Sequence, residues 1–162
     1  MTIIGIDPGL DGGIAVLRPD ENPDVFVMPT MPTGKGTGRE IDIEAIQHAL
    51  TIWGEVHIAV EGQQPFPKQG GKSNFTTGYN YGKLLGWLEA VCLPFRVVTA
   101  REWQRAFGIG GRGTDTKAQA ALVCRRLFPC VDLLATARCR KAHSGKADSL
   151  LIAEWCRRTQ ED

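Results

Sequence analysis

Hydrophobic positions fall in short blocks at the start of the chain. Residues 3–7, 12–18 and 24–28 alternate or run apolar between turn signals, and predict three strands joined by hairpins. Residues 29–39 are rich in Pro, Gly, Thr and Lys and predict a loop. Over residues 41–53 the period changes: Ile43, Ile46, Ala49, Leu50 and Trp53 recur at helical spacing. Residues 55–61 run apolar without alternation up to Glu61, which suits a central strand covered on both faces. Residues 63–74 predict a second loop, containing Phe66, Lys68, Gly70, Gly71 and Lys72.

Residues 77–92 predict a helix with Gly78, Gly82 and Gly86 on one face. Each interior glycine costs a helix about 1 kcal/mol, so three at this spacing imply another backbone packed closely against them. That backbone belongs to a second copy of the chain, to the helix's own sheet or to the neighbourhood of a site. A short strand over 95–98 follows, then a helix over 99–107 with Thr99 as N-cap. A glycine-rich loop over 108–114 carries Arg112, and a helix over 115–128 is stopped by Pro129. Residues 133–144 are irregular and basic, and the chain closes with an apolar helix over 147–158. Hairpin strands first, then strands alternating with helices, predict an α/β fold: a mixed five-stranded sheet with helices on both faces.

Three acids stand at the ends of these core elements. Asp7 closes the first strand, Glu61 ends the uniformly apolar one, and Asp148 opens the final helix. Lone buried charges are costly unless paired or bound to metal. Three of them, far apart in sequence and all at element ends, predict one divalent-metal site built on two neighbouring strands and a helix. Taken singly, Asp7 also reads as a turn cap and Asp148 as an N-terminal acid favoured by the helix dipole.

Composition narrows the class. The 162 residues suffice for one domain, taken as 1–162, and the 43% apolar content excludes a disordered chain. No apolar run approaches the roughly 20 residues that span a bilayer, and the N-terminus has no secretory pattern. The five cysteines, an odd number without a CxxC pair, suggest reduced thiols in a cytoplasm. Cys130, Cys139 and His143 form a candidate zinc set whose spacing matches no familiar module. Net charge is only +1, but residues 1–99 balance at −4 and residues 100–162 at +5. The second part can therefore carry phosphate contacts as well as ordinary solvated charge.

Ile4-Gly5-Ile6-Asp7-Pro8-Gly9, the strand ending in Glu61, and Lys146-Ala147-Asp148-Ser149-Leu150-Leu151-Ile152-Ala153 resemble the motifs of RuvC-type Holliday-junction resolvases. These belong to the ribonuclease-H-like (retroviral integrase) superfamily, and the short phage or prophage variety is the most similar. Phe75-Thr76-Thr77-Gly78, the stretch from Thr99 to Gln104 around Trp103, and Lys117 to Pro129 extend the similarity over nearly the whole chain. The resemblance implies a homodimeric endonuclease that cuts a four-way DNA junction in a bacterial or phage-infected cell. It would use two Mg²⁺ ions per active site, with Mn²⁺ as a substitute. Asp7 would bridge both ions, flanked by Glu61 and Asp148. Two hard cations held by carboxylates suit phosphodiester hydrolysis.

The chain departs from that pattern one helical turn before the last aspartate. Family members usually carry an acid or a histidine there; this chain reads His143-Ser144-Gly145-Lys146. Ser144 holds the expected fourth-ligand position, and His143 is a candidate substitute ligand or proton shuttle. In the family an aromatic after the glutamate stacks on a junction base, a role that falls to Phe66, with Phe75 assigned to the core. Lys68, Lys72, Arg112 and Lys117, on or beside glycine-rich loops, are candidate phosphate contacts. Two other readings share the motifs: a related nuclease acting on flaps or hybrids, and a junction-binding protein that cuts poorly because of Ser144. Sugar kinases and Hsp70-like ATPases share the opening strand, but they need a second phosphate loop that this sequence lacks.

Overall fold

The protein is described by a computed structural model that covers residues 1–34, 36–50, 55–65, 67 and 69–160. Strands β1 (Thr2–Asp7), β2 (Gly13–Leu17) and β3 (Asp24–Val27) form a meander, followed by the short strands β4 (Thr30–Pro32) and β5 (Arg39–Ile41). Helix α1 (Ile43–Ala49), strand β6 (Val56–Glu61), helix α2 (Gly71–Ala90) and strand β7 (Phe95–Val98) alternate next. Helices α3 (Ala100–Ala106), α4 (Thr116–Leu127) and α5 (Ser144–Arg158) complete the chain. The main sheet has the order β3-β2-β1-β6-β7. β1 runs antiparallel to β2 and parallel to β6, and β7 is parallel to β6. The mixed five-stranded sheet expected from the sequence is present.

Both faces of this sheet are covered, which explains why the central strands read as unbroken apolar runs. Ile4, Ile6, Ile14, Val16, Ile58 and Val60 pack with Ile46 of α1 and Leu84 and Leu88 of α2. Ile3, Ala15, Leu17 and Ala59 point the other way, onto Trp103 of α3, Ala120 of α4 and Leu150, Leu151 and Ala153 of α5. Leu150, Leu151 and Ile152 have no exposed surface. At about 1.5–3 kcal/mol for each fully buried side chain, α5 is strongly anchored.

The approach of α5 is set by glycine. A Cβ on Gly5 of β1 would lie 2.2 Å from the Ser149 carbonyl oxygen, and one on Gly145 would lie 2.3 Å from the Gly12 carbonyl carbon. Only glycine fits at either place, and the resulting contact brings the first turns of α5 against the end of β1.

Four boundaries differ from expectation. The 29–39 segment contains a two-stranded ribbon, Thr30–Pro32 with Arg39–Ile41, rather than only loop. Buried Asn80 holds this ribbon to α2, accepting from the Ile41 N–H at 2.7 Å. α2 begins at Gly71, so the loop after Glu61 is shorter than expected and Lys72 lies on the helix. The 41–53 helix starts at Ile43 with Asp42 as N-cap; Trp53 lies outside the described residues. α5 begins at Ser144, so Asp148 is its fifth residue and does not open the helix. The reading of Asp148 as a dipole-favoured first-turn acid therefore fails.

Candidate active site

Two of the three acids are placed by strand register. β1 and β6 pair in parallel up to Ile6 opposite Val60, so Asp7 and Glu61 occupy the next step on adjacent strand ends. Neighbouring strands lie about 4.8 Å apart, which brings the two side chains to one edge of the sheet. Asp7 is aimed by its own turn: its Oδ1 accepts the Gly9 N–H at 3.2 Å. Turn capping and a site role therefore coexist at this residue. Asp148 reaches the same place from the second turn of α5, carried in by the close packing at Gly5 and Gly145.

The carboxyls also bear on one another's titration. Burial, then the Asp7 charge, pushes the Glu61 carboxyl up to about 7, against a hydrogen bond from Trp103. Burial, then Asp7 and Glu61, pushes Asp148 up to about 7, against Lys117. Burial also raises Asp7, opposed by the Gly9 N–H and by Lys117. Asp7 bears on both of the other acids, so it is the central member. Lys117, on the first turn of α4, acts by its charge on Asp7 and Asp148 together.

The donor set suits a hard divalent cation: three carboxylates, all held above their ordinary pKa and answered by one lysine. Among the described residues no three His, Cys, Asp or Glu side chains form a finished coordination cage. The candidate zinc set is not assembled either. Cys139 pairs its thiol with the Thr136 hydroxyl at 3.4 Å, and His143 is engaged elsewhere.

His143 is the N-cap of α5, its Nδ1 accepting the Lys146 N–H at 3.4 Å. Burial lowers its pKa against the opposing Asp11 charge, and with Nδ1 accepting, Nε2 is the nitrogen left to donate. Ser144 is the first residue of α5 and lies four residues before Asp148, on the same helix face.

The outlying candidates are scattered. Phe66 and Lys68 lie outside the described residues. Arg112 is exposed in the α3–α4 loop, and Lys72 is exposed on α2. Phe75 is 74% exposed rather than part of the core, and it stacks on Tyr79 with ring centroids 6.4 Å apart. It lies on the outer face of α2, opposite Leu84 and Leu88. Lys72, Phe75 and Tyr79 line a cleft of about 830 Å³ that also touches the β4–β5 ribbon. Gly78, Gly82 and Gly86 belong to the same outer stripe, and a Cβ on any of them would meet nothing within 4 Å. The packing of these glycines against the chain's own sheet, one of the sequence alternatives, is therefore excluded.

The strand order, the two parallel strand ends carrying acids, and the helix laid across them define a ribonuclease-H-like α/β fold. Within that class the fold is that of RuvC. The structure titled "T. thermophilus RuvC in complex with Holliday junction substrate" superposes with a TM-score of 0.55 at 16% identity, covering 98% of this chain and 96% of that one. A second, "Thermus thermophilus RuvC structure", gives 0.54 at 18% identity, with 99% and 97% covered. No family model matches the sequence, and no curated protein matches it significantly. Among the described residues, no helix is long and apolar enough to cross a membrane.

Proposed function

We propose that this chain is a divalent-metal-dependent endonuclease that cuts four-way DNA junctions, acting as a homodimer. One observation carries the reading: Asp7 and Glu61 share one end of the sheet, and Asp148 and Lys117 act electrostatically on the same spot. Similarity to the fold of a protein solved with a Holliday junction favours this substrate over other phosphodiesters. Asp7, Glu61 and Asp148 would hold Mg²⁺ or Mn²⁺, two per site; when bound, such ions activate water and stabilise the leaving oxygen.

The chain's own residues do the rest. Asp7, fixed by the Gly9 N–H in its own turn, would hold both ions. Lys117 lowers the pKa of Asp7 and Asp148 against their burial and would offer its ammonium to the scissile phosphate. Neutral His143 presents Nε2–H as a donor near the N-terminus of α5. Ser144 contributes a hydroxyl where an acid would bind a cation more tightly, so activity favours Mn²⁺ or high Mg²⁺. Lys72, Arg112, Phe66 and Lys68 contact the DNA arms. The exposed α2 stripe of Phe75, Gly78, Tyr79, Gly82 and Gly86 meets its copy in the partner, giving two sites for two symmetrical cuts.

The test is cleavage of synthetic four-way junctions, flaps, RNA–DNA hybrids and linear duplex side by side, in Mg²⁺ and in Mn²⁺. Paired, symmetrical cuts confined to the junction support the proposal. Preference for flaps or hybrids moves the substrate elsewhere, and tight junction binding without cutting in either metal leaves only the binding role.

A further inference from the structure

We propose that Trp103 is the positioning residue for Glu61, its indole N–H fixing which carboxylate oxygen faces the cations. The proposal rests on the metal-site reading given above and names a residue outside the three acids. Trp103 Nε1 donates to Glu61 Oε1 at 3.1 Å. The indole is 1% exposed, packed among the residues under α5.

The connection is short and stiff. Glu61 pairs with Val98 across β6 and β7, and the Gly62 N–H donates to the Val98 carbonyl at 2.8 Å. Thr99 follows Val98 directly as the N-cap of α3, and a capping box locks the helix's first turn. The Thr99 N–H donates to Glu102 Oε2 at 2.7 Å, and the Glu102 N–H donates back to Thr99 Oγ1 at 3.3 Å. Glu61 and Trp103 are therefore carried by one rigid corner, and the indole reaches back from α3 to the carboxylate.

The chemistry suits the task. An indole offers a single donor, accepts nothing and does not titrate. It engages Oε1 and leaves Oε2 for the cations that Glu61 would share with Asp7 and Asp148. A flexible glutamate alone would sample several rotamers and present either oxygen; held this way, it presents one. Hydrogen bonds to the non-coordinating side of a ligand typically change metal affinity 10–100-fold when removed. The rival explanation is that a buried tryptophan needs an acceptor and Glu61 merely supplies it.

Trp103→Phe separates the two, because it keeps the buried ring and deletes the N–H. Mn²⁺ alone is titrated into the full-length protein and free ion is counted by electron paramagnetic resonance. The Mn²⁺ dissociation constant is expected to weaken about tenfold or more, with circular dichroism unchanged. In a Glu61→Gln background, the same substitution is expected to leave the residual Mn²⁺ affinity unchanged. Equal affinity in wild type and Trp103→Phe overturns the proposal, as does an equal fold loss in both backgrounds. If Trp103→Phe does not fold, the wild-type indole N–H resonance decides: Mg²⁺ must shift the Trp103 signal, and Glu61→Ala must abolish that shift. An unmoved signal overturns it. Wild-type protein without any Glu61-dependent Mn²⁺ binding sinks the metal-site reading and this proposal with it, an outcome distinct from a silent Trp103→Phe.

Discussion

Asp148→Asn should stabilise the protein in the absence of divalent cations while destroying its activity in their presence. The Asp148 carboxyl moves from an ordinary 3.8 to about 7 on folding. A folded pKa above the unfolded value means that folding favours the protonated acid. The associated stability is full below about pH 4 and is lost as pH rises through about 7. At about 1.4 kcal/mol per tenfold change in proton affinity, the displacement is worth about 4 kcal/mol at pH 8. Part of that penalty is shared with Asp7 and Glu61 and the site is partly open to water, so about 2–3 kcal/mol is expected from Asp148 alone. For a chain of this length that corresponds to roughly 5–10 °C in Tm. The assay is thermal unfolding in chelator at pH 5 and pH 8, repeated with Mg²⁺. Wild type should be less stable at pH 8 than at pH 5, and Asp148→Asn should flatten the difference and exceed wild type at pH 8. Mg²⁺ should reverse the order, because it binds the folded wild type. A variant less stable than wild type at pH 8 in chelator would refute the claim that burial, and then Asp7 and Glu61, disfavour the Asp148 charge.

Other outcomes follow from the same geometry. Gly5→Ala should cost several kcal/mol in chemical unfolding, since its Cβ would lie 2.2 Å from the Ser149 carbonyl oxygen and push α5 off β1; wild-type stability would show that α5 does not pack there. Lys117→Met should shift the pH–rate profile to higher pH, because the ammonium that lowers Asp7 and Asp148 is gone; an unchanged profile places the lysine elsewhere. A Cβ at Gly82 meets nothing within 4 Å among the described residues, so in Gly82→Leu the monomer should stay folded while sedimentation shifts from dimer to monomer; an intact dimer moves the interface off α2. Ser144→Asp should raise activity at low Mg²⁺ by supplying an anionic ligand on the Asp148 face, and unaltered metal dependence would leave the fourth ligand to another residue.

What could be read from the sequence was what local pattern encodes. The apolar runs of β1, β2 and β6 mark strands covered on both faces, and the strand-end acids follow from them. The β4–β5 ribbon was missed because Thr30–Pro32 and Arg39–Ile41 are too short to show a period among Pro, Gly and Lys. The start of α5 was missed because histidine is an unusual N-cap, and because Gly145, read locally, breaks a helix. Its role appears only when β2 lies against it. Phe75 looked like core because large aromatics usually are; on α2 it falls on the face opposite Leu84 and Leu88. The actions of Trp103 on Glu61 and of Lys117 on Asp7 span 42 and 110 positions, and no local period records such contacts.

The proposed two-metal centre places both cations on Asp7, Glu61 and Asp148 at the ends of β1 and β6. Crystals grown with Mn²⁺ and measured at its absorption edge test this directly. Two anomalous peaks are predicted, both touching Asp7, one also touching Glu61 and the other Asp148. Saturating Mn²⁺ with no peak among these carboxylates, or with peaks only at other acids, would contradict the claim.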